Sequence, residues 1–148
     1  MSRPFIVSSQ PNIPESPEVA IRVLLVDDSE AMRRVTGAIV RSRHWTVCGE
    51  AENGTTGVQK FKDLKPDVVL LDLIMPDITG IEAAKLMSAS DPTVPLILFT
   101  IWETKGIEEV AKDAGIRVIV SKAHPWDLIS SIESEVSRRP NEQKLRSG

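Results

Sequence analysis

Five short strand-like runs, each followed by a stretch with the period of an α-helix, limit what this chain can fold into more than any other feature. "IRVLLV" (21–26) precedes Met32, Val35, Thr36, Ile39 and Val40, which share one helical face. "WTVCGEA" (45–51) precedes Val58, Phe61 and Leu64, and "DVVLL" (67–71) precedes Ile81, Ala84 and Met87. "PLILF" (95–99) precedes Ile107, Val110, Ala111 and Ala114, and "IRVIV" (116–120) precedes Leu128, Ile129, Ile132 and Val136. Strands with consecutive apolar residues are buried on both faces, and β–α alternation with short connections implies right-handed crossovers. The expectation is one α/β domain over 21–139: a parallel five-stranded sheet with helices on both faces.

The flanks have a different composition. Residues 1–20 hold four prolines among polar residues and lack the cationic start and apolar stretch of a signal peptide, so a disordered N-terminal arm is expected. Residues 140–148 follow as a flexible, polar C-terminal tail. The net charge of -3, from 18 basic and 21 acidic residues, gives no overall attraction to a nucleic-acid backbone. No run approaches a membrane span, and Cys48 is alone, so no intrachain disulfide can form. A reducing, cytoplasmic location is expected, with neither membrane nor direct nucleic-acid binding.

The third run continues as "VVLLDLIMPDITG" (68–80), so a strand buried on both faces ends on a carboxylate, Asp72. In an open parallel sheet the carboxyl ends of the strands form the edge where ligands bind. Asp27 and Asp28 end the first run, Thr100 follows the fourth, and Ser121 and Lys122 follow the fifth. Three carboxylates at one edge repel unless a proton or cation intervenes, and a hard oxygen-seeking ion such as Mg2+ meets that need. Lys122 adds a mobile ammonium suited to an incoming phosphoryl group. A carboxylate nucleophile, a metal and a lysine together describe phosphoryl transfer to Asp72.

"LLVDDSEAMRR", "VVLLDLIMPDITG", "LILFT" and "VIVSK" resemble, in order and spacing, the receiver domain of two-component response regulators, with a chemotaxis-regulator-like pattern. The resemblance implies a flavodoxin-like (βα)5 fold with strand order 2-1-3-4-5. It also implies that Asp72 accepts a phosphoryl group from a histidine kinase or histidine phosphotransfer protein, and that the domain catalyses its own phosphorylation and dephosphorylation. By the same resemblance Asp28, Asp72 and the backbone carbonyl of Ile74 ligate Mg2+, with Asp27 acting through water. Thr100 would bond a phosphoryl oxygen and Lys122 would pair with the phosphoryl group. The output would be a downstream protein target, since the few residues after the last helix hold no helix-turn-helix; the chain is then either a stand-alone receiver or part of a longer protein.

Plainer readings stand beside these. Asp28 or Ser29 can cap a helix starting at Glu30, Thr100 can cap the next helix, and Lys122 can be a surface lysine. Met75-Pro76 and Gly80 read as turn residues, His44 and His124 as structural, and Cys48 as a small core residue. Arg33, Arg34, Arg41 and Arg43 form a basic face that is either solvated or a dock for an acidic partner. Three positions depart from the family pattern: Ile119 replaces an aromatic, Ile101 a small residue, and Ala123 a proline, so a trans bond is expected after Lys122. Ile101 and Ile119 motivate an alternative, an atypical receiver that acts as a phosphorylation-independent interaction module. A small-ester phosphohydrolase would want a second aspartate where Ile74 stands. The resemblance places Ile74 and Trp102 along the path of the water that attacks the acyl phosphate, so the modified state is expected to be long-lived.

Overall fold

The runs become strands because each supplies residues that can be buried on both sides at once. In the computed structural model, which describes residues 20–102 and 104–139, they form β1 (Arg22–Val26), β2 (Thr46–Ala51), β3 (Val68–Leu71), β4 (Leu96–Thr100) and β5 (Ile116–Ser121). Between and after them lie α1 (Glu30–Ser42), α2 (Gly54–Leu64), α3 (Gly80–Ser90), α4 (Glu108–Asp113) and α5 (Asp127–Arg138). The expected arm and tail lie outside the described residues, apart from Ala20.

All pairings are parallel, in the order β2-β1-β3-β4-β5, which is the flavodoxin-like topology. In-register partners such as Leu25 with Leu70 and Leu70 with Ile97 point to one face, while Leu24 with Val69 points to the other. Two cores result. Leu24, Val26, Val69, Leu71, Leu96 and Leu98 pack with Val58, Phe61, Ala84 and Met87 on the face covered by α2 and α3. Val23, Leu25, Val68, Leu70, Ile97 and Phe99 pack with Val40, Leu128 and Ile132 beneath α1 and α5. Burying each of these large side chains contributes about 1.5–3 kcal/mol.

Helix starts follow local chemistry. Ser29 accepts from the Met32 amide at the head of α1, and Thr79 and Glu82 form a reciprocal capping box at the head of α3. Helix α2 ends where Lys65 turns left-handed just before Pro66. Three expectations about the core need correction. The buried stripe of α1 runs through Thr36, Gly37, Ile39 and Val40, leaving Val35 exposed at its margin. Helix α4 is too short to turn both Val110 and Ala111 inward, and Val110 is exposed. Cys48 sits on the edge strand β2 and is half-buried, packing against the core without entering it. No helix among the described residues is long and apolar enough to cross a membrane.

Candidate functional site

Because the strands are parallel, their carboxyl ends gather on one edge, and the β1 and β3 ends are neighbours there. Asp27 and Asp72, directly after β1 and β3, are both buried, whereas Asp28 is exposed. One carboxylate oxygen from each of the three lies within 4.8 Å of the other two. Thr100 ends β4, with its side chain buried, and Lys122 follows β5, held by its amide on the Thr100 carbonyl at 2.9 Å. The structure therefore brings together Asp27, Asp28, Asp72, Thr100 and Lys122 at one sheet edge.

Each buried carboxylate is fixed by specific donors. Asp27 Oδ1 accepts from the Ser29 amide at 2.9 Å, and its Oδ2 accepts from Lys122 Nζ at 2.7 Å. Asp72 Oδ1 accepts from the Leu73 amide at 2.8 Å, and its Oδ2 lies 3.5 Å from the same ammonium. Burial pushes the Asp72 carboxyl above the usual carboxylate range; Lys122 pulls it down, Asp27 pushes it further up, and the net shift is upward. Lys122 is not the mobile ammonium expected from sequence, since Asp27 holds it with a side chain only 7% exposed.

The surrounding residues add detail that sequence spacing did not carry. Thr100 Oγ1 accepts from the Trp102 amide at 3.1 Å, a local turn and not a helix cap, because α4 begins only at Glu108. Ser29, not Asp28, caps α1, which leaves the Asp28 carboxylate free of that duty. Ile101 is 70% exposed, so its bulk stands largely in solvent. Ile74 and Trp102 are about half exposed, and Ile119 is partly buried against the α2–α3 core. The Lys122–Ala123 bond is trans, there being no cis bond among the described residues. Of the basic residues on and just after α1, Arg33 is largely buried and pairs with Glu50, while the Arg34–Glu30 and Arg43–Glu133 pairs stand in solvent. Arg33 also donates to the Asp27 carbonyl at 2.7 Å, which ties it to the acidic cluster.

The β3–α3 loop is tightly folded. Gly80 donates to the Leu73 carbonyl at 2.7 Å, and a Cβ on Gly80 would come within 2.2 Å of the Asp72 carbonyl oxygen. That approach, not merely a turn, is what requires glycine here. The donor set suits a hard cation: all ligand atoms are oxygens, no thiolate or imidazole joins them, and the exposed Asp28 side leaves room for water. The upward shift at Asp72 comes first from its burial, with the Asp27 carboxylate adding to it and Lys122 opposing it.

The family model described as the response regulator receiver domain matches residues 23–133. The chain is 37% identical over 117 residues to the chemotaxis protein CheY of Thermotoga maritima, covering 79% of this chain and 98% of that protein. It is 42% identical over 111 residues to the protein-glutamate methylesterase/protein-glutamine glutaminase of Bacillus licheniformis, covering 74% of this chain but 31% of that protein. Among solved structures, the response regulator domain of Thermotoga maritima CheB superposes with a TM-score of 0.76 at 32% identity, covering 82% of this chain and 99% of that one.

Proposed function

The chain belongs to the response regulator receiver domain family, and on that premise we propose that it takes a phosphoryl group onto Asp72 from a histidine kinase or histidine phosphotransfer protein. The observation that carries this reading is the placement of Asp72: buried at the end of β3, 3.5 Å from Lys122 and beside the Asp27–Asp28 pair. In the transfer, an Asp72 carboxylate oxygen attacks phosphorus, the P–N bond of the phosphohistidine breaks, and the departing imidazole nitrogen keeps the electron pair. The product is an acyl phosphate, whose hydrolysis returns the carboxylate and inorganic phosphate.

The chain's own groups divide the work. Lys122 offers a fixed positive charge 3.5 Å from the nucleophile, able to meet a phosphoryl oxygen without leaving the site. The Thr100 hydroxyl accepts from the Trp102 amide, so its own hydrogen is available to a phosphoryl oxygen. Asp27, Asp28 and Asp72, with the Ile74 carbonyl, are the groups that would hold Mg2+, which neutralises charge on the transferring group when bound. The lone, half-buried Cys48 suits a reducing, cytoplasmic setting.

Incubation with acetyl phosphate and Mg2+ tests the assignment. One added phosphoryl group is expected by mass, lost in Asp72→Asn with the fold intact; undiminished labelling of that variant would remove Asp72 from the role. The alternative, a module that binds its target without phosphorylation, draws on Ile119 standing where the family carries an aromatic ring. It predicts no labelling and unaltered target binding in Asp72→Asn.

A further inference from the structure

The acidic cluster depends on a loop, and the loop depends on a carboxylate outside the cluster. Between Leu73 and Thr79 the chain leaves the end of β3, crosses to α2 and returns to the start of α3. At the crossing Asp77 spreads both oxygens over the first turn of α2: the Gly54 amide donates to Oδ1 at 2.9 Å and the Thr55 amide to Oδ2 at 2.8 Å. These are charge-assisted bonds to otherwise unsatisfied helix donors, at the positive end of the helix dipole. The helix has its own cap as well, since Asn53 accepts from Thr56, so Asp77 serves the two amides that Asn53 leaves. Contact is close. A Cβ on Gly54 would come within 2.4 Å of Ile78 Cγ1, and Met75 is buried in the core beneath the loop.

The same short segment also holds the other arm of the cluster. The Asp27 amide donates to the Ala51 carbonyl at 3.0 Å, three residues before Gly54. The strand-end aspartate of β1 and the loop after β3 are thus both fastened to residues 51–55. Hydrogen bonds from the Thr55 hydroxyl and from the amides of Thr55, Gly54 and Ile78 hold the Asp77 carboxyl well below the usual carboxylate range, so the fastening is ionised at neutral pH.

We propose that Asp77 is a positioning residue for the acidic cluster: by fastening the Asp72–Gly80 loop to α2 it sets the affinity of the cluster for a divalent cation. This rests on the Mg2+ reading above. The test titrates Mg2+ into the full chain by calorimetry and pairs each affinity with a thermal melt, for Asp77→Ala, Asp77→Asn and the control Asn53→Ala. The control removes a cap from the same helix without touching the loop. Asp77→Ala is expected to weaken Mg2+ binding about tenfold, as loss of an orienting partner around a metal does, and Asp77→Asn, which keeps one accepting oxygen, by less. Asn53→Ala should lower the Tm comparably while leaving Mg2+ affinity nearly unchanged. Equal weakening by both alanine variants, or none by Asp77→Ala, overturns the proposal. If the unmodified chain binds no Mg2+, the metal reading fails, and the fastening is judged on the amide resonances of Leu73 and Ile74. Movement in Asp77→Ala alone upholds it; no movement refutes it.

Discussion

Lys122 Nζ stands 2.7 Å from Asp27 and 3.5 Å from Asp72, so the ammonium is bound first to the carboxylate that is not the proposed nucleophile. Asp72 keeps an oxygen whose charge is only partly offset. The site is held together by a cation on one side and left electrostatically incomplete on the other.

Lys122→Met removes that cation from between two carboxylates whose side chains are less than a tenth exposed. Breaking a buried ion pair from one side costs about 3–5 kcal/mol, much of it the price of an unpaired buried charge. Urea melts should show a loss of that order without divalent cations, and millimolar Mg2+ should restore part of it. A variant as stable as the parent without Mg2+ would contradict the pairing.

Asp72→Asn should stabilise the fold by about 1 kcal/mol at neutral pH without Mg2+, in the range usual when a site strained for function is relaxed. The sign follows from the raised Asp72 carboxyl. Between the unfolded carboxylate value and the higher folded value the native state holds more protons, so stability falls as pH rises through that window. The advantage of asparagine is therefore full above the folded value and vanishes below the unfolded one. Melts from acid to neutral pH check both limits.

Gly80→Ala would place a methyl group against the Asp72 carbonyl oxygen, a backbone atom that cannot turn aside. A destabilisation of about 2 kcal/mol is expected from the forced shift. Labelling by acetyl phosphate should fall more than Gly57→Ala causes, where the obstacle is the Val26 side chain on the core face.

Ile74 and Trp102, half exposed beside the site, offer no group that orients a hydrolytic water. The phosphorylated protein should decay slowly, and Ile74→Glu should quicken decay by about tenfold or more, a fraction of the roughly 10²–10⁴-fold that a fully positioned general base supplies. Replacing Trp102 by a small polar residue should also quicken it. Loading and decay are followed separately, with Trp102 fluorescence reporting changes at Thr100. Fast decay of the unmodified chain would exclude this account.

Much of the fold was legible because both-face burial writes itself into consecutive residues: Val68–Leu71 could only be an interior strand, and the carboxylates fell where such strands end. The helices were legible through period, but their rotation was not. Val35 belongs to the apolar set of α1 by spacing and is exposed because Gly37 and Val40 centre the buried stripe elsewhere. Contacts between distant segments left no mark on the sequence. Asp77 drew no reading from the sequence, and its partners lie 22 and 23 residues away. Arg33 read as part of a face either solvated or open to an acidic partner, yet its guanidinium closes on Asp27 and Glu50. Lys122 was placed correctly at the edge, but whether it is mobile is decided by a partner 95 residues away.

Helix α4 has six residues, no side-chain cap at Ile107, and only Ala111 buried within its span. A helix that short has no stability of its own in water, and two small buried residues, Ala111 and Ala114, with the partly buried Ile107 at its head, give it modest anchorage. Its amide protons should therefore exchange with solvent through local openings far cheaper than global unfolding, while those of β3 exchange last. Among the described helices α4 is in this sense expected to be the first to open, next to the edge where β4 ends at Thr100.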